Sequence, residues 1–173
     1  MKIRFPAADT IAIVMLINRA QPDSANDYQS NSATLILNSH QRLTGQALLP
    51  NVKPGAAAHA LYHAPCVVLA HDTAPEPLFF YANRMAQQVF EMDWETLVRL
   101  PSRHSAEPLA QDERQRLLAR VSRHGYIRDY SGIRISSSGK RFLIEQASVW
   151  NLLDAAGGCI GQAAAFSHWR MLP

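Results

Sequence analysis

The chain has 173 residues, is 47% hydrophobic and only 18% charged, and carries a formal net charge of +3. That balance excludes a disordered tail and falls short of a nucleic-acid-binding composition, leaving one globular domain, or a domain plus an extension, with its own apolar core. Two cysteines, Cys66 and Cys159, without C-x-x-C spacing, exclude a disulfide framework and make a reducing cytoplasm the expected location.

In chain order, Ile11 to Ile17 is the longest apolar run, shorter than the roughly 18 residues a membrane span needs. Lys2 and Arg4 precede it as in a signal peptide. Pro6, Asp9 and Arg19 break that pattern, so a short strand or a translated upstream extension is the better reading, with Met15 a second candidate start. Gln21 to Asn31 is polar and reads as a linker, completing a variable N-terminal extension over 1–30. Ile36, His40, Leu43 and Ala47 then recur at helical spacing, with Ser32 or Asn31 as N-cap and Pro50 beyond the end. This predicts an amphipathic helix over about 32–48, followed by a linker to residue 56. Ala56 to Tyr62 is a second short helical stretch.

From Pro65 the pattern changes. Cys66 to Ala70 and Leu78 to Tyr81 read as strands around the polar, proline-rich His71–Pro77. Asn83–Phe90 and Asp93–Leu100 read as short helices, stopped by Pro101. Asp112–His124 is the strongest helix, with Leu117, Leu118 and Val121 on one face and Gly125 as its cap. Three strands follow, around Ile133–Ile135, Phe142–Leu152 and Ile160–Phe166, separated by turns at Ser136–Gly139 and Asp154–Gly158. Runs of this kind predict an α+β fold: a five-stranded antiparallel sheet with short helices on one face, preceded by the amphipathic helix.

That order, with Phe79-Phe80-Tyr81-Ala82-Asn83 as an aromatic strand ending in asparagine, resembles a PAS domain. The closer resemblance is to the MEKHLA family of PAS-like domains. It is carried by Ala60–Pro65, Tyr81–Arg84, Trp94, Leu100–Arg103, Ser105–Pro108, Arg114–Leu118, Gly125-Tyr126, Tyr130–Gly139, Val149–Leu152 and Gly161–Ala164. The resemblance implies a PAS-like MEKHLA domain over 57–173. PAS-like domains sense small molecules, light or redox state, or dimerise, and no catalytic residues come with the family. The expected role is a non-enzymatic sensory or small-ligand-binding module, acting through a homodimer and a separate partner protein. The alternatives are a dimerisation or interaction domain with a filled core, and a small enzyme using the PAS cavity.

The chemistry-bearing clusters fit that role. His59 and His63 share a helical face near Cys66, but no fourth metal ligand accompanies them and surface or cap histidines are the better reading. His124 precedes the capping Gly125 and suits the helix C-terminus better than haem iron. Neither cysteine stands in the helical motif that flavin photosensors require. No G-x-S-x-G or phosphate loop occurs. Ten basic residues between Arg99 and Arg141 read as a solvated face without a DNA-reading motif, so no specific nucleic acid and no membrane are expected as partners.

Polar and amphipathic side chains on the sheet and short helices mark the candidate ligand site: Tyr81, Asn83, Trp94, Glu145, Trp150 and Gln162. The competing reading makes the aromatics core and Asn83 a helix cap. No cofactor follows from the sequence. The amphipathic helix, with no obvious place in the compact domain, is expected to cross a partner's sheet in a homodimer. The two cysteines are expected to stay free, at opposite ends of adjacent antiparallel strands.

Overall fold

The computed structural model describes residues 18–107 and 111–173. The readings of Ile11–Ile17 and Met15 lie outside the described residues. The polar run after them is folded. Asp23 Oδ1 accepts from the backbone N–H of Ala25 and Asn26, and Asn26 Oδ1 accepts from Asp23 N–H, a reciprocal capping box on the 3₁₀ turn Ser24–Gln29. Helix α1, Ser30–Thr44, follows directly. It stops four residues before the expected Leu48, because Gly45 takes φ 73° and returns its N–H to Gln41 O at 2.9 Å.

Helix α2, Ala57–Tyr62, leads into strands β1, Val67–Asp72, and β2, Phe79–Ala82. Helices α3, Arg84–Phe90, and α4, Trp94–Leu97, are each capped by the residue before them: Asn83 accepts from Ala86 N–H and Asp93 from Thr96 N–H. Helix α5, Gln111–His124, ends at Gly125, with φ 89°. Strands β3, Tyr126–Ile135, β4, Arg141–Leu153, β5, Cys159–Phe166, and β6, His168–Met171, complete the sheet.

The strands pair antiparallel in the order β2-β1-β5-β4-β3, the five-strand PAS-like arrangement, with β6 also on β4. The sixth strand continues the fifth. Ser148 faces Ala165 and, three positions on, Glu145 faces His168 in the same register. Strand β3 begins seven residues before the predicted Ile133; a left-handed Asp129, φ 58°, sits at a bulge that breaks its alternation.

Both faces of the sheet are covered. Val67, Leu69, Phe79, Phe142, Ile144 and Phe166 pack against Ala86 and Phe90 of α3 and Leu97 of α4, while Leu117 and Val121 of α5 meet Val149. Val68, Ala70, Trp150, Leu152, Ala163 and Ala165 share the other cluster with Ala33 and Ile36 of α1 and Leu61 of α2. The expectation that α1 crosses a partner's sheet is therefore corrected: it lies on its own. Trp150 Nε1 donates to Ile36 O at 3.2 Å, Leu153 N–H donates to Ser39 Oγ at 2.9 Å, and the His40 and Trp150 rings meet edge-on at 4.8 Å. An apolar stripe must be buried somewhere, and the chain's own Trp150–Leu152 surface supplies the place.

Cys66 and Cys159 are free thiols near opposite ends of paired strands, since Val67 faces Phe166 while Asp72 faces Gly161.

Candidate functional site

The face of the sheet under α5 holds a cavity of about 60 Å³. Alternation of β1 aims Leu69 and His71 into it, and the register puts Ala164 and Gln162 of β5 beside them, with Val149 of β4 next to Ala164. Phe79, Phe90, Ile144 and Phe166 add apolar wall, and Leu117 and Leu118 of α5 form the roof. An open groove of about 570 Å³, walled by the 73–77 loop and α5, lies outside. The two share His71, Arg114, Leu118 and Gln162, so these four form the neck between solvent and cavity.

Two guanidinium groups line this space. Arg114, near the start of α5, donates from Nη2 to Ser102 Oγ at 2.8 Å, and Ser102 is fully buried. Arg134 of β3 is buried, at 8% exposure; it donates to Ile133 O at 2.8 Å and to the Tyr130 hydroxyl at 3.4 Å, and lies 5.5 Å over the Tyr130 ring. Among the described residues neither makes a salt bridge. Burial, with the nearby Arg134 charge, lowers Arg114 to about 10, against the opposing effect of Tyr130.

His71 Nδ1 lies 2.8 Å from Asp72 O, and because a carbonyl only accepts, Nδ1 carries the proton. Burial pushes the ring's pKa down to about 4, so His71 is neutral at pH 7. Asp72 itself faces Arg19, 3.1 Å away. Gln162 Nε2 donates to Leu118 O, Ser122 Oγ and Asn151 Oδ1 at 3.0–3.2 Å, fixing β5 to α5 across the neck.

Of the six residues singled out in the sequence, Gln162 alone lines this cavity. Tyr81, Trp94 and Trp150 share the filled cluster that contains Ile36. Tyr81 and Trp94 meet edge-on at 6.2 Å, and Trp94 Nε1 donates to Arg19 O at 2.9 Å. Asn83 is fully buried and wholly occupied by backbone: Oδ1 accepts from Val68 and Ala86 N–H, and Nδ2 donates to Cys66 O and Leu61 O. Glu145 is half-exposed, 3.9 Å from Arg170. The six do not converge, because both faces of β4 are covered and alternation there does not tell cavity from core.

Of the residues that do converge, His71 falls within the loop reading and Arg114 and Arg134 within the solvated basic face, while Tyr130 carries no site reading in the sequence. One signal stood in the sequence: Arg134 falls between Ile133 and Ile135, on the opposite side of an alternating strand, and the cavity side proved to be the arginine's. The histidine pair His59–His63 stacks at 4.4 Å with Tyr28 edge-on at 4.7 Å, and among the described residues no three metal-ligating side chains cluster.

A family model described as the MEKHLA domain matches residues 30–171. No curated protein matches the chain. Among solved structures, the chain is similar to a PAS domain from Colwellia psychrerythraea, with TM-score 0.57, 12% identity, and 66% of this chain and 92% of that one covered. It is also similar to a fungal LOV domain photoreceptor, with TM-score 0.55, 13% identity and coverage of 79% and 91%. An RNA-binding light-oxygen-voltage receptor aligns with TM-score 0.55 and 17% identity over 69% of this chain and 34% of the receptor. At these identities the likeness establishes the fold alone.

Proposed function

This chain belongs to the MEKHLA domain family, and from its PAS-like fold we propose that it is a non-enzymatic sensory module that binds a small molecule between the sheet and α5. The observation that carries the reading is a cavity entered through a polar neck of His71, Arg114 and Gln162 and backed by apolar wall. Its groups suit binding better than turnover. A general base works best with a pKa near the operating pH, whereas His71 sits at about 4 and Arg114 at about 10. Ser102 Oγ accepts from Arg114 and Ser105 Oγ donates to Ser102 O, so neither serine faces a base.

Occupancy would brace α5 against the sheet, and a separate partner protein would read that change. Two free thiols suit a cytoplasmic location, and no helix among the described residues is long and apolar enough to cross a membrane. Self-association belongs to the same proposal but needs a surface other than the one under α1. Met171, 54% exposed beside Trp169, Met85 and Val89, is the candidate.

Native mass spectrometry of freshly purified protein tests the reading. It predicts a small-molecule adduct that disappears on denaturation and in Ala164→Met, which fills the cavity while leaving the outer face untouched. An adduct equally present in the filled variant would place the ligand elsewhere and overturn it.

A further inference from the structure

The two cavity arginines define the chemistry of the ligand. A charge taken out of water is costly unless it is paired, and among the described residues Arg114 and Arg134 are met only by neutral oxygens: Ser102 Oγ, Ile133 O and the Tyr130 hydroxyl. Among the described residues every salt bridge lies elsewhere, and Asp72, a carboxylate of the outer groove, is engaged by Arg19. Arg134 adds to the cost at Arg114, whose charged form it disfavours. A planar carboxylate matches a guanidinium fork and would relieve both.

Size and wall set the remainder of the molecule. A water's share of liquid volume is roughly 30 Å³, so about 60 Å³ holds about two waters, or a ligand of only a few heavy atoms. Beyond the arginines and the polar His71, Ser105, Tyr130 and Gln162, the wall includes Leu69, Phe79, Phe90, Ile144 and Phe166, which would receive a short aliphatic tail.

We propose that the cavity binds a short-chain aliphatic monocarboxylate, its carboxylate between Arg114 and Arg134 and its tail against Leu69, Phe79 and Ile144. The proposal rests on the ligand-binding reading above and narrows it to one chemical class.

Titration calorimetry on the full chain, in a buffer free of carboxylate and phosphate, tests it with formate, acetate, propionate, butyrate, octanoate, propionamide and inorganic phosphate. Affinity should rise from formate to propionate or butyrate and be lost for octanoate, propionamide and phosphate. Losing a charge-assisted pair should weaken propionate about tenfold or more in Arg114→Gln and in Arg134→Gln. Arg114 lies near the start of a helix, so its variant keeps the test open if Arg134→Gln, at a buried position on the edge strand β3, fails to fold. Propionamide binding as well as propionate, octanoate binding best, or undiminished affinity in folded Arg114→Gln would each overturn the carboxylate assignment. So would a panel in which nothing binds. In all these cases a cavity-dependent adduct in the mass spectrum would leave the broader ligand-binding reading standing, and its absence would remove both.

Discussion

Ile36→Ala tests whether α1 is part of this domain's own core. Ile36 is fully buried in the cluster it shares with Trp150, Leu152 and Ala163. The change removes three methylene equivalents, worth about 2.4 kcal/mol at roughly 0.8 kcal/mol each. The void adds about 1 kcal/mol or more, because the Ile36 carbonyl is held by Trp150 Nε1 and the helix resists settling inward. Together these predict a loss of about 3–4 kcal/mol. With a urea m-value of roughly 2 kcal/mol/M, the midpoint should fall by about 1.5–2 M. Thr34→Ala, on the exposed side of the same helix, should stay within about 0.5 kcal/mol. The size of that loss should be the same at every protein concentration, because Ile36 packs within its own chain. A loss below about 1 kcal/mol would show that α1 does not pack as described. A loss from Ile36→Ala that changes with protein concentration would return the helix to a partner's sheet.

His71, held neutral with a pKa near 4 against 6.5 in the unfolded chain, makes stability fall as pH drops through that interval, because the unfolded state binds the extra proton. The slope approaches 1.4 kcal/mol per pH unit, roughly 3 kcal/mol in all, and urea titrations from pH 7 to 4 should show it flattened in His71→Gln. Tyr81→Phe should be neutral or stabilising by up to about 1 kcal/mol, since the buried Tyr81 hydroxyl has no partner among the described residues, whereas Asn83→Ala, which orphans buried backbone groups, should cost about 2–4 kcal/mol in the same assay. Burial raises both thiols, so iodoacetamide should modify Cys66 and Cys159 slowly in the folded protein, and denaturation without reductant should release two reactive thiols; finding none would contradict the strand arrangement.

The elements legible in the sequence were those with local signals. Asn83 and Asp93 marked the starts of α3 and α4, Gly125 marked the end of α5, and β-branched and aromatic runs marked β1, β2 and β4. Gly45 was a comparable signal, masked by the continuing apolar Ala47 and Leu48; Leu48 packs as loop against the same core, while Ala47 is exposed. Strand β6 escaped because His168–Met171 is mostly exposed, and the start of β3 because its bulge interrupts alternation. The site was less legible than the fold. Trp150 and Tyr81 are large and amphipathic, the marks of a ligand wall, yet they serve the face that α1 covers. Arg114 and Arg134 are basic, the mark of a solvated face, yet they line the cavity, and that follows only from the register between strands and the seat of α5. Long-range pairing decides the side each residue faces, and composition does not carry it.

If the cavity holds the ligand, the sheet face under α5, and not the face under α1, responds to small molecules. An amide NMR titration of ¹⁵N-labelled full chain against a mixed set of small carboxylates, amides and alcohols tests it most directly. The account predicts shifts clustered at Leu69, His71, Ser105, Leu118, Gln162 and Ala164, with α1 unmoved. Shifts centred on Ile36, Trp150 and Leu152, or no shift anywhere, would contradict it.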